Sequence, residues 1–166
     1  MEGNTALANI LRMEGTEYLF CYPANSLIEA AAIAGIKPIM SRTERTTVNM
    51  ADGYTRVLNG RRNGVVVTQS GPGSENAFGG VAHAYAESVP ILVLPGGSPR
   101  DKIGQPPDFS AVESYRGITK WAGQVNQARR IPELMRRAYT HLRAGRPGPV
   151  ILEVPRDVGA EEIFEE

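Results

Sequence analysis

Cysteine is nearly absent from this sequence: Cys21 is the single one in 166 residues. One thiol cannot close an internal disulfide, so a disulfide-framed secreted module is excluded and a reducing cytoplasmic setting is the simplest. Cys21 lies inside the apolar run "EYLFCY" and reads as a buried strand residue rather than a nucleophile. Histidine is scarce too. His83 and His141 both fall in helical patterns, and no His, Cys and Asp set has metal-ligand spacing, so no metal site is expected on this chain. Neither sign of charge is in excess, with 18 Lys+Arg against 18 Asp+Glu. That balance argues against nucleic acid as a partner and against an acidic disordered tail. Long apolar runs are missing. "VPILVLP" is far too short to span a bilayer, and charges interrupt "MEGNTALANILRMEG", which therefore does not read as a signal peptide.

What is there is an alternation. Apolar residues at helical spacing (Leu7, Ile10, Leu11) give a first helix with Asn4 or Thr5 as its cap, ended by Gly15. "EYLFCY" is a strand, and "NSLIEAAAIAG" a helix capped by Asn25 or Ser26 and closed by Gly35. "KPIMS" is a second strand, followed by a helix from residue 45 to about 59. "GVVVTQ" is apolar through its first half, as a central parallel strand buried on both faces should be. "SGPG" breaks it and a helix follows from "SENAFGG". "PILVLPG", "KWAGQV" and "GPVILEVP" complete six strands, with the helix "IPELMRRAYTHLRAG" before the last. The segment between "PILVLPG" and "KWAGQV" is long for a connection, as functional or mobile segments are. Strand–helix alternation implies one three-layer α/β/α domain on a mainly parallel six-stranded sheet. The domain spans 1–166, with 156–166 reading as the start of a linker or tail.

In open parallel sheets, ligands bind beyond the carboxyl ends of the strands. Three polar or glycine-rich stretches map there: "YPAN" after the first strand, Glu44 after the second and "SGPGSEN" after the third. Taken alone, each has a plainer explanation. Tyr22-Pro23-Ala24-Asn25 is also a strand-to-helix turn with an Asn cap. Ser70-Gly71-Pro72-Gly73 is also a tight turn into a helix, and it lacks the lysine and spacing of a phosphate loop. Glu44 is also an ordinary first-turn helix acid.

The order of motifs resembles the N-terminal pyrimidine-binding (PYR) domain of thiamine-diphosphate enzymes of the acetolactate synthase type. The matching stretches are "EYLFCYPANS", "RTERTTVNMADGYTR", "GVVVTQSGPGSENAFGGVAHAYAESVPILVLPG", "GITKWAGQV" and "GRPGPVILEVPRDV". The resemblance implies that Glu44 is catalytic: its carboxyl group would hydrogen-bond the aminopyrimidine ring of thiamine diphosphate and control the proton that activates the cofactor. It implies that Tyr22, Pro23 and Ala24 line the cofactor near its reactive centre, and that Ser70, Pro72 and Asn76 contact the pyrimidine side. Three departures stand out. Ala24-Asn25 replace a Gly-Gly, Thr43 and Arg45 flank the acid in place of His and Gln, and "FSAVE" from Phe109 replaces a substrate-side "FQE".

The family's diphosphate and Mg²⁺ motif, Gly-Asp-Gly followed by Asn, has no counterpart here. The resemblance therefore implies half of an active site, completed by a diphosphate-binding (PP) domain or subunit, in a homo-oligomer acting on a 2-oxo acid. The leading expectation is a fragment of a decarboxylase or carboligase. The alternatives are the α subunit of a split decarboxylase of the sulfopyruvate type, and a non-catalytic binding module of the same fold.

Overall fold

The computed structural model describes residues 1–23 and 25–163. Along the chain the elements are α1 (Gly3–Met13), β1 (Tyr18–Cys21), α2 (Leu27–Ile33), β2 (Lys37–Met40), α3 (Glu44–Val57), β3 (Gly64–Thr68), α4 (Pro72–Ala86), β4 (Ile91–Gly97), α5 (Ala111–Tyr115), β5 (Trp121–Gln124), α6 (Ile131–Arg143), β6 (Val150–Pro155) and α7 (Arg156–Ala160). The six strands form one parallel sheet in the order β2-β1-β3-β4-β6-β5, as the alternation of strands and helices predicts.

Side-chain alternation along the strands builds two cores. Leu19 and Cys21, Val65 and Val67, Leu92 and Leu94, and Val150 and Leu152 face α1, α2 and α6. Phe20, Val66, Ile91, Val93 and Ile151 face α3, α4 and α5. Leu7 and Leu11 of α1 are completely buried, and each such leucine contributes roughly 1.5–3 kcal/mol.

The chain steps from β1 outward to β2, then crosses back to place β3 on the other side of β1. That reversal opens a crevice between the carboxyl ends of β1 and β3, where ligands of doubly wound sheets bind.

Several local expectations change. α1 begins at Gly3 after Glu2, with no side-chain cap. Asn4 is instead buried within the helix and donates to Ser26 Oγ at 2.9 Å. Asn25 is the residue that satisfies the start of α2, accepting from the Leu27 amide at 2.9 Å. α4 begins at Pro72 rather than Ser74: proline is tolerated in a first turn because its missing N–H has no intrahelical partner there. The long connection after β4 contains α5, which the sequence pattern did not reveal. Residues 156–163, read as the start of a linker, form α7 against α1 and a bridge from Glu2 to Glu162, with Val158 buried. Residues 164–166 of that expectation lie outside the described residues.

Candidate functional site

α3 places Glu44. Thr43, in extended conformation, caps the helix by accepting from the Thr46 amide at 3.2 Å. Capping by Thr43 leaves the Glu44 side chain free of that task, although Glu44 occupies the first helical position, where an acid favours the helix dipole. The side chain turns inward and is only 5% exposed. α4 supplies the facing wall. Asn76 Nδ2, on its second turn, donates to Glu44 Oε2 at 3.3 Å. Gly71, at φ +61°, lets the chain leave β3 and enter α4 in a conformation other residues rarely adopt.

The result is an open cleft of about 750 Å³ lined by Tyr22, Glu44, Pro72 and Asn76, together with Gln69 and Phe78. Four residues expected from the sequence thus meet in one place. Ser70 lies on a neighbouring pocket of about 350 Å³ with Asn25 and Gly96, and Gln69 borders both. Pro23 is exposed and lines neither. Ala24 lies outside the described residues.

The cleft has a buried acid at its wall and an exposed rim. Asn76, Gln69 and Phe78 are all exposed. Arg42 and Arg45 also line it, yet among the described residues Glu44 makes no salt bridge, and its one hydrogen bond is the Asn76 contact. A buried carboxyl group with a single neutral protein donor retains capacity for a further partner. Gly73 packs behind the cleft wall: a Cβ there would stand 2.8 Å from Gln69 Cβ and 3.3 Å from Glu44 Oε1. The space that Glu44 borders therefore depends on the absence of a side chain. A flat heterocycle bearing a hydrogen-bonding ring nitrogen fits this donor set.

Sequence patterns missed Gln69 and Phe78 because a glutamine after a strand and a phenylalanine on a helix have ordinary explanations. Cys21 is fully buried in β1, and burial pushes its thiol up to about 11, so it is no nucleophile. His141 stacks on Trp121 with ring centroids 5.6 Å apart. Among the described residues no three His, Cys, Asp or Glu side chains are grouped to hold a metal ion, and no helix is long and apolar enough to cross a membrane.

Fold and cleft define an α/β domain with an open cleft at the carboxyl edge of a parallel sheet. The chain belongs to the family described as thiamine pyrophosphate enzyme, N-terminal TPP binding domain, whose model matches residues 1–127. It is 34% identical, over 98% of its length, to a probable acetolactate synthase large subunit of Methanocaldococcus jannaschii. It is 34% identical over 95% of its length to the acetolactate synthase large subunit of Haemophilus influenzae, and 34% identical over 98% to that of Lactococcus lactis subsp. lactis. The chain spans only 28–29% of the length of these relatives.

Proposed function

We propose that this chain is the pyrimidine-binding, cofactor-activating domain of a thiamine-diphosphate-dependent 2-oxo acid decarboxylase or carboligase of the acetolactate synthase type. The observation that carries the reading is Glu44: a buried carboxyl group on a cleft wall, held among the described residues by one neutral donor and by no cation. Family membership and the acetolactate synthase relatives support it.

Thiamine diphosphate supplies the electron sink for breaking the bond beside a 2-oxo acid's carbonyl group. The chain's part is binding, orientation and proton control. Glu44 would hold a pyrimidine ring nitrogen and share a proton with it, its Oε1 being the carboxyl oxygen that Asn76 does not contact. Asn76 holds the carboxyl group in place. Tyr22, Pro72 and Phe78 line the cleft and would present apolar surface to the ring. Pro23 and Ala24 follow Tyr22 in sequence and Ser70 follows Gln69, and on that adjacency and the family resemblance alone we propose them as further cofactor contacts.

Mg²⁺ and the diphosphate are assigned to a partner domain or subunit, because the sequence carries no Gly-Asp-Gly motif and among the described residues no three His, Cys, Asp or Glu side chains are grouped to hold a metal ion. A homo-oligomer in the cytoplasm, with exposed Phe78 at the cleft mouth next to the partner, completes the proposal.

The test is titration of the full-length enzyme with thiamine diphosphate and Mg²⁺, followed by hydrogen exchange at the cofactor's C2. Saturable binding with accelerated exchange in the wild type, and acceleration lost in Glu44→Gln, is the expected result. Binding with unchanged exchange in Glu44→Gln overturns the assignment of Glu44.

A further inference from the structure

The cleft's geometry depends on a residue outside it. Tyr115, at the end of α5, is 1% exposed, and its hydroxyl donates to the carbonyl oxygen of Ser74 at 2.5 Å. Ser74 lies in the first turn of α4, two residues before Asn76. The ring of Tyr115 also meets Phe78 edge-on, with centroids 5.3 Å apart and planes at 74°. One side chain therefore touches α4 on both sides of Asn76, by a hydrogen bond before it and an aromatic contact after it.

α5 is itself anchored to the sheet. Glu153, buried on β6, accepts from the Ala111 amide at 3.0 Å, at the first residue of α5. Its other oxygen accepts from Gln124 Nε2 at 2.5 Å on β5. At the far end of α5, Thr119 Oγ1 donates to the Tyr115 carbonyl at 2.9 Å. The five-residue helix that carries Tyr115 is thus held at both ends.

We propose that Tyr115 is a positioning residue for the cofactor site: through Ser74 and Phe78 it fixes the start of α4, and so sets Asn76 against Glu44. The inference rests on the proposed function, and it adds a residue that does not line the cleft to that site. Asn76 itself is exposed and touches Glu44 by one long hydrogen bond, so its placement is set by the helix that carries it. The Ser74 carbonyl is a point where the start of that helix is tied to α5.

Tyr115→Phe keeps the ring and removes the hydroxyl, leaving the Ser74 carbonyl without this donor. In the full-length enzyme without cofactor, amide hydrogen exchange across residues 72–78 should accelerate about tenfold, the scale of one lost buried hydrogen bond, while α6 is unchanged. The dissociation constant for thiamine diphosphate with Mg²⁺ should rise by a similar factor. In an Asn76→Ala background, the same Tyr115→Phe change should leave that constant unaltered, since the residue through which it acts is gone. A purely structural tyrosine would lower the melting temperature and shift affinity equally in both backgrounds, which would overturn the inference. Unchanged exchange at 72–78 would overturn it too, and that readout needs no cofactor. If the wild type binds no thiamine diphosphate, the functional reading fails along with this one. Tyr115→Leu, which removes the Phe78 contact as well, should exceed Tyr115→Phe in the 72–78 exchange; an equal effect would assign the positioning to the hydroxyl alone.

Discussion

Asn76 donates to Glu44 across 3.3 Å, and this bond joins the second turn of α4 to the first residue of α3. The two helices come close enough because Gly80 has no side chain: a Cβ there would stand 2.9 Å from Val48 Cβ. A buried acid at a helix start, met by an amide from a neighbouring helix, is stable only if something compensates its desolvation. Thr43 takes over the capping, the α3 dipole favours the charge, and Asn76 supplies one donor.

Glu44→Gln keeps the shape of this arrangement and its acceptor for Asn76, and removes only the acid. Hydrogen exchange at the cofactor's C2 should slow by about 10²–10⁴-fold, the range of a positioned acid–base group. The fold should survive, with unfolding free energy changed by less than about 1.5 kcal/mol. Urea denaturation read beside the exchange assay separates the two effects. A variant that unfolds before it loses exchange would show that Glu44 is a structural acid.

Gly73→Ala sets two effects against each other. In a helix the change gains about 1 kcal/mol of propensity. Here the new methyl group would meet Gln69 Cβ at 2.8 Å, and that atom is tied to the backbone. Overpacking of this kind costs roughly 1–3 kcal/mol, so the net effect should be destabilising, with weaker cofactor binding because Glu44 Oε1 is displaced. Gly53→Ala is the control. It lies in α3 with nothing within 4 Å of its Cβ position, and it should stabilise the protein by about 0.5–1 kcal/mol. Equal shifts in urea midpoint for both variants would contradict this reading of Gly73.

The sheet was legible because its strands repeat one simple code. "GVVVT" and "ILVL" are apolar on both faces, and only a strand covered from two sides needs that pattern. The rim was legible because Gly71, Pro72 and Glu44 sit at the breaks between periods. α5 was not: five residues are too few to show helical periodicity, and their helix depends on Ser110 capping Glu113 and on Glu153, which is 42 residues from Ala111. Asn4 was misread as a cap for the same reason. Its side chain is satisfied by Ser26, a contact between helices that local sequence does not encode. Tyr115 carries no motif at all, and its role follows only from which carbonyl its hydroxyl reaches.

Cys21 offers a check on the inner face of β1. Its thiol is fully buried and pushed up to about 11, so only about one molecule in a thousand carries a thiolate at pH 8. A thiol reagent should label the native protein far more slowly than the urea-unfolded one. Rapid native labelling would mean that β1 opens readily beside the Tyr22 rim.

Glu153 gives a pH signature of its own. Burial is the main cause that raises its pKa above the ordinary carboxylate value, and hydrogen bonds from Gln124 and Ala111 oppose the rise only in part. Asp108 adds a further negative charge nearby. An acid whose folded pKa lies above its unfolded one binds protons more tightly in the native state. The native state is then favoured below the unfolded value, near 4.5, and loses that contribution as pH rises through the folded value. Glu153→Gln cannot ionise and has no such loss. It does carry a constant cost, since its amide turns a donor toward either Gln124 or the Ala111 N–H, where the carboxyl group accepted. The slope is therefore the diagnostic, not the offset. Unfolding free energies of the two proteins, measured in urea from pH 4.5 to 8, should converge as pH rises, because only the wild type pays for ionising the buried group. Parallel curves would show that Glu153 ionises at its ordinary value in the native state and that water reaches it beneath α5.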